Sequence, residues 1–214
     1  MEDDSSRRPL KTRSTEWARN LAKALTAAGI SPNAISAFSV VAALLGGAAF
    51  IGAARGWVPW PVGWVAGAAM IQLRLLCNLM DGMVAIEGGK KSATGDLWNE
   101  IPDRLADTIF LVSAGWAIGW PWVGALAAWA SVMTAYVRTM GAALTGVHDF
   151  CGPCAKPHRM AVLTIASLMT ACDSLWNGHG LWIKTGLAFI AASTLHTILR
   201  RTMRLAAKLK EARP

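Results

Sequence analysis

The sequence predicts an all-α protein: an integral membrane bundle of six transmembrane helices with an N-terminal amphipathic juxtamembrane helix. Three observations carry that expectation. The chain is 54% hydrophobic with a mean hydropathy of +0.37, above the roughly 45–50% apolar share usual in soluble domains. Six apolar stretches run along it, each of roughly 20 residues, enough to cross a ~30 Å hydrocarbon core as a helix. Tryptophans gather at one set of stretch ends and basic residues at the other, as two unlike membrane interfaces require. This composition excludes a soluble enzyme with a large extramembrane domain, a disordered chain, a coiled coil and a disulfide scaffold.

Residues 1–30 form a cytoplasmic N-terminal segment. Within it, 13–28 reads as a surface helix, because Trp17, Leu21, Leu25 and Ala28 recur at three- and four-residue spacing while Arg19, Asn20, Lys23 and Thr26 fall elsewhere. A basic amphipathic helix of this kind lies in the headgroup layer; packing against the protein is the alternative. Ser31-Pro32-Asn33 then opens the first span, with Ser as N-cap and Pro at the first helical position. The membrane domain covers 31–199, with spans expected near 34–54, 58–80, 101–119, 122–145, 160–176 and 181–199. Residues 200–214 form a basic cytoplasmic tail suited to anionic membrane lipid.

The loops orient this arrangement. Trp57, Trp60, Trp64, Trp116, Trp120, Trp122, Trp176 and Trp182 cluster around the outer loops as an aromatic belt, whereas Lys90, Lys91, Lys156 and Arg159 fall on the inner loops. Both termini are also basic, so both face the cytoplasm. Lys and Arg number 21 against 13 Asp and Glu, for a net charge of +8. The cations flank apolar stretches, so they read as membrane orientation and not as a nucleic-acid surface. The first 33 residues hold no apolar run, which argues against a cleavable signal peptide, and Glu2, Asp3 and Asp4 argue against a transit peptide. A prokaryotic plasma membrane is the expected location. Cys77, Cys151, Cys154 and Cys172 lie in spans or on the cytoplasmic side, so disulfides are not expected.

Chemistry concentrates in residues 78–107. Asn78 and Asp81 are three apart and share a helix face at the inner end of the second span. Asn99 and Asp103 are four apart and share a face at the start of the third. The connection between the two spans is short, so the faces can converge. Carboxylates at that depth are costly unless paired or metal-bound. An oxygen-only set suits Mg²⁺ or Mn²⁺, and such a metal suits phosphate chemistry. The bland alternative is a solvated loop whose acids pair with Lys90, Lys91 and Arg104.

These residues resemble the signature of the CDP-alcohol phosphatidyltransferases, D-x-x-D-G-x-x-A-R followed after eight residues by G-x-x-x-D-x-x-x-D. Asp81, Gly82, Ala85, Gly95 and Asp103 match, including the eight residues between Ile86 and Gly95. Six spans, an amphipathic N-terminal helix and the Ser-Pro-Asn start of the first span extend the resemblance along nearly the whole chain. Three positions differ: Asn78 and Asn99 stand at Asp positions and Ile86 at the Arg position. Two carboxylates remain where the family has four, which bears on the number of metal ions. Asp96, Glu100 and Asp107 are candidates to restore charge.

The resemblance implies transfer of a phosphatidyl group from a CDP-lipid, usually CDP-diacylglycerol, to a small alcohol acceptor, with CMP leaving. It implies that Asn78, Asp81, Asn99 and Asp103 hold the metal, Mg²⁺ or Mn²⁺, and that Asp103 is the general base on the acceptor hydroxyl. It implies that Gly82, Ala85 and Gly95 let the nucleotide approach the backbone, and that the chain forms a homodimer. A catalytically inactive relative that binds CDP-lipid or anionic lipid is the alternative. A small transporter is a third reading, although no internal repeat or matched Gly/Pro break is visible.

Arg138, Lys156, His158 and Arg159 form a cationic set on and beside the second inner loop. By the same resemblance they bind an acceptor that carries phosphate, such as glycerol 3-phosphate or an inositol phosphate. Positive-inside topology explains them equally well. His148, Cys151, Cys154 and His158 have spacings that zinc could use, but the expected chemistry needs none. Arg74 lies one turn before Asn78 and is expected to snorkel or to pair with Asp81 or Asp107. Asp173 is expected to be solvated at the outer end, and His196 to be a packing residue of the last span.

Overall fold

The computed structural model describes residues 15–88, 94–147, 149, 151–152, 156–175 and 179–211, without the side chains of Glu87, Asp96, Lys156 and Ser174. Among these residues there are helices and no strand. The helices are α1 (Glu16–Ala27), α2 (Pro32–Ala54), α3 (Trp60–Glu87), α4 (Gly95–Ala117), α5 (Pro121–Thr145), α6 (Lys156–Ala171) and α7 (Leu181–Glu211), with a 3₁₀ turn at Asp173–Leu175.

Local chemistry sets several boundaries. The Ser31 side chain accepts from the Ala34 N–H, so Ser-Pro-Asn does start α2. Gly146 closes α5 with φ 71°, a left-handed cap that costs a glycine little. Pro102 lies inside α4 and lacks the N–H that would bond the Trp98 carbonyl.

The six long helices form a closed ring. Following packing contacts, α2 touches α3, α3 touches α6, α6 touches α7, α7 touches α5, α5 touches α4 and α4 returns to α2. Helices α3 and α4 touch each other only slightly. They are held side by side mainly through α2, which packs extensively on both. The core contains Phe50, Trp64, Phe110, Leu111, Leu163, Ile183, Leu187 and Ile190. Apolar side chains such as Phe38, Leu44, Leu45, Ile165 and Phe189 face outward. Between apolar helices in lipid, association depends on close packing, not on escape from water. At Gly115 and Gly124 an added Cβ would meet the other glycine's Cα at 2.8 and 3.0 Å, so α4 and α5 approach backbone to backbone there.

Helix α1 packs on α3. Ala18 and Ala22 are buried among Cys77, Met80, Met83 and Val84, with Leu21 and Leu25 alongside, while Trp17 is half exposed. The helix is thus a strut against the inner end of α3 as well as an amphipathic surface element.

Among the described residues, three helices are long and apolar enough to cross a membrane: α2, α3 over Trp60–Ile86, and α7. The other long helices align with the remaining expected spans. However, α4 carries Glu100, Asp103, Arg104 and Asp107 in its inner half. Helix α6 has 16 residues, about 24 Å at 1.5 Å per residue, short of a ~30 Å core.

Several details differ from the sequence reading. Helix α3 continues to Glu87, and α7 runs unbroken through the basic segment to Glu211. Trp64 is fully buried, 4.7 Å from the Phe50 ring and 5.5 Å from Trp60, so it belongs to the core and not to an interfacial belt. Trp57, Trp116, Trp120, Trp122 and Trp182 are exposed as that belt requires, and Trp176 lies outside the described residues. Asp173 is buried, because its Oδ2 accepts from the Gly180 N–H at 2.6 Å at the start of α7. His196 is exposed.

Candidate active site

Arg74, Asn78 and Asp81 lie at i, i+4 and i+7 on α3, and Asn99, Asp103 and Asp107 at i, i+4 and i+8 on α4. Each set therefore forms one helix face. The two faces meet at the end of the ring where α3 finishes and α4 begins. Asn78 Nδ2 donates to Asp103 Oδ1 at 3.0 Å and to Asn99 Oδ1 at 3.3 Å. Asp81 is buried one turn further along α3. Its Oδ2 accepts from the Ser36 hydroxyl of α2 at 2.7 Å, and its Oδ1 accepts from the Gly82 N–H at 2.6 Å. Helix α2 thus contributes a residue that the motif does not include.

A buried charge network lies behind this polar layer. Arg74 is fully buried. Its Nη2 donates to Asp107 Oδ1 at 2.6 Å, and to Asp103 Oδ1 and the Asp103 carbonyl at 3.1 Å each. Arg159 at the start of α6 donates to Asp107 Oδ2 at 3.3 Å, and both partners are almost completely buried. Buried ions cost several kcal/mol each unless paired and hydrogen-bonded. The shared guanidinium–carboxylate contacts explain how α3, α4 and α6 keep these charges inside.

Arg74 does not snorkel, and its carboxylate partners are Asp103 and Asp107, not Asp81. Asp107 neutralises two arginines and does not join the Asn78–Asp81 layer. Glu100 is turned about 100° from the Asn99 face, reaching Arg138 at 2.5 Å and Arg104 at 3.3 Å. Arg104 also lies 3.7 Å from Asp103 Oδ2.

Arg201 of α7 ties Cys151, between α5 and α6, to α5. Arg201 Nε donates to the Cys151 carbonyl and Nη1 to the Thr134 carbonyl, both at 2.8 Å. Arg138, Gly141, Asp149, Arg201, Leu205 and Lys208 line one cleft there. Asp149 accepts from the Cys151 N–H at 2.8 Å and faces Arg204 at 3.4 Å. Partial burial opposes its ionisation, but the Cys151 hydrogen bonds and the charges of Arg204 and Lys208 outweigh it. They hold the Asp149 carboxyl below the usual carboxylate range.

Of the expected acceptor residues, Arg138 is in this cleft, Arg159 is committed to Asp107, and His158 is exposed. The side chains of Lys156 and Asp96 lie outside the described residues, as do His148 and Cys154 of the zinc-like spacing. Gly82 and Ala85 are half-buried on the last turns of α3, and Gly95 is the first residue of α4. Ile86, at the Arg position of the motif, is exposed. Sequence reading missed Ser36 and Arg201. Ser36 lies on the buried face of α2 but carries no motif, and Arg201 is one of several cations that look alike in sequence.

Solved structures match this chain closely. It aligns with the Mycobacterium tuberculosis phosphatidylinositol phosphate synthase crystallised with CDP-DAG bound at a TM-score of 0.72 and 17% identity, covering 89% of this chain and 94% of that one. The same synthase in complex with manganese and citrate gives 0.71 and 18%, covering 88% of each chain. Its apo form gives 0.66 and 19%, covering 86% and 93%. This chain has the fold of that synthase. No protein-family profile and no curated protein sequence matches it.

Among the described residues no three His, Cys, Asp or Glu side chains form a metal-holding group. Asn78, Asn99 and Asp103 between α3 and α4, with Asp81 one turn further along α3 against Ser36 of α2, instead offer two carboxylates and two amides. That all-oxygen set fits a hard dication of the Mg²⁺ or Mn²⁺ type.

Proposed function

We propose that the protein is a membrane-embedded CDP-alcohol phosphatidyltransferase, which moves the phosphatidyl group of a CDP-lipid onto a small alcohol and releases CMP. The observation that carries this reading is the meeting of Asn78, Asn99 and Asp103, with Asp81 one turn further along α3, at one end of a ring of helices that has the synthase fold. The synthase is named for phosphatidylinositol phosphate and was crystallised with CDP-DAG and with manganese, which supports a CDP-diacylglycerol donor and a divalent cation here.

In this reading all six long helices cross the membrane, both termini are cytoplasmic and the site opens toward the inner leaflet of a prokaryotic plasma membrane. Lipid tails then stay in the bilayer while the nucleotide reaches water. Asp81 and Asp103, with amide oxygens of Asn78 and Asn99, would hold the cation, which when bound supplies neutralising charge for the pyrophosphate. Ser36 and the Gly82 N–H fix Asp81, and Arg74 and Asn78 fix Asp103. Gly82, Ala85 and Gly95 leave the backbone open to the nucleotide. The acceptor oxygen attacks the phosphorus bonded to the lipid, the bond from that phosphorus to the CMP oxygen breaks, and the hydroxyl proton passes to Asp103. The acceptor's own phosphate sits near Arg138 and Arg201, with Lys156 and His158 of the first turn of α6 assigned to the same role. An inositol phosphate or glycerol 3-phosphate suits that cleft. The active unit is a homodimer.

One observation favours a second reading. Asn78 and Asn99 replace carboxylates, and Asn78 already donates to Asp103, so a silent relative that binds CDP-lipid without turnover has the same fold. Purified protein in lipid, with Mn²⁺ and CDP-diacylglycerol, is offered glycerol 3-phosphate, inositol phosphate, inositol, serine, choline and glycerol. CMP release with one acceptor establishes the enzyme and names its product. Thermal stabilisation by CDP-lipid with no CMP from any acceptor establishes the silent relative.

A further inference from the structure

Asp103 Oδ1 is shared by two donors, Asn78 Nδ2 at 3.0 Å and Arg74 Nη2 at 3.1 Å. The other oxygen of that carboxylate, Oδ2, has the Arg104 guanidinium 3.7 Å away. Arg74 is fully buried and holds Asp107 through the same nitrogen. Its Nε and Nη1 are buried without a hydrogen-bond partner among the described residues, so the guanidinium has been brought into the interior for its charge and not for a complete set of hydrogen bonds. Asp103 and Asp107 are paired with the buried cations Arg74 and Arg159, so these four charges balance one another, while Asp81 is held separately by Ser36 and the Gly82 N–H.

A pair of dications held about 3.5–4 Å apart repel each other strongly in a low-dielectric interior. They need several carboxylates between and around them. Here two of the four signature positions are neutral amides, and a fixed guanidinium already occupies one oxygen of the remaining α4 carboxylate. We infer that Arg74 takes the place of one cation, so that this site binds a single divalent ion with Arg74 as a built-in second positive charge behind Asp103. Arg74 is therefore a positioning residue. It fixes the Asp103 carboxylate and sets the ion count without contacting substrate. The inference rests on the transferase reading of the same site, but the number of ions can be read without turnover.

The test counts Mn²⁺ by electron paramagnetic resonance during titration of the full-length protein in lipid nanodiscs, with no nucleotide present. One Mn²⁺ per chain with an uncoupled spectrum is expected. Asn78→Asp with Asn99→Asp, Arg74 retained, is expected to stay at one ion. Adding Arg74→Gln to that pair is expected to admit a second ion and a spin-coupled signal, and adding Arg74→Lys instead is expected to keep the count at one. Two ions in the unaltered protein overturn the inference and leave the transferase reading standing. So does a second ion in the double variant that keeps Arg74. Absence of any bound Mn²⁺ at millimolar concentration overturns both. If the triple variant does not fold, the counts on the unaltered and double-variant proteins decide.

Discussion

At the tryptophan-rich end of the bundle, Trp60 Nε1 donates to the Thr170 carbonyl at 2.9 Å, the Thr170 hydroxyl accepts from Ile183 N–H at 3.1 Å, and Asp173 accepts from Gly180 N–H at 2.6 Å. At the opposite end, Arg74, Asp103, Asp107 and Arg159 are buried and share their contacts across three helices, and Glu100 links Arg104 with Arg138. The first set satisfies backbone groups at the junction of α6 and α7. The second concentrates charge, and its contacts run mainly between side chains, with one from Arg74 to the Asp103 carbonyl. Polar groups that serve the fold sit near helix ends and close backbone bonds. Those assigned to chemistry project from helix faces and need partners from other helices.

This contrast can be broken at either end. The largest stability effect is expected for Arg74→Met, which removes the guanidinium shared by two buried carboxylates. It should destabilise the protein by about 3–5 kcal/mol, read as thermal unfolding in detergent or nanodiscs. Arg159→Met, which removes one 3.3 Å contact, should cost less. Arg201→Ala comes next. It should raise the KM for a phosphorylated acceptor by about tenfold or more, as expected for loss of a charge-assisted hydrogen bond, and leave the CDP-lipid KM within about twofold. Equal changes in both would remove Arg201 from the acceptor cleft. At the outer end, Asp173→Ala should cost about 1–2 kcal/mol through the uncapped Gly180 N–H and leave turnover of the remaining folded protein unchanged. A loss of turnover there would collapse the distinction between the two ends.

The smallest effect concerns pH. Because the folded-state Asp149 carboxyl lies below its ordinary value, its contribution to stability is fully present above about pH 4, the unfolded carboxylate value. It disappears as pH falls through the lower folded value. The stability difference between the unaltered protein and Asp149→Asn should therefore be flat from neutral pH to about pH 5 and shrink below pH 4. A difference that grows on acidification would contradict this.

The sequence made much of this legible where a single helix carried the information. The spacings of Asn78 with Asp81 and of Asn99 with Asp103 fixed which side chains share a face, and Ser31 marked the start of α2. What stayed hidden depended on how helices pack against one another. Hydropathy is equally high for a lipid-facing and a core-facing tryptophan, so the burial of Trp64 could not be read from it. Arg74 lies within reach of several acids by spacing, and only the rotation of α3 against α4 selects Asp103 and Asp107. The short link between these helices suggested direct packing, whereas α2 bridges them and supplies Ser36. Arg201 was one cation among several in a basic segment until α7 proved to be continuous through it.

The central claim is that the α3–α4 layer performs phosphatidyl transfer with Asp103 taking the acceptor proton. The most direct test compares Mn²⁺-dependent CMP release by the unaltered protein and by Asp103→Asn, both in lipid and both shown to be folded by gel filtration and tryptophan fluorescence. The account predicts release by the unaltered protein and a loss of about 10²- to 10⁴-fold in the variant. Equal rates in the two proteins would contradict it.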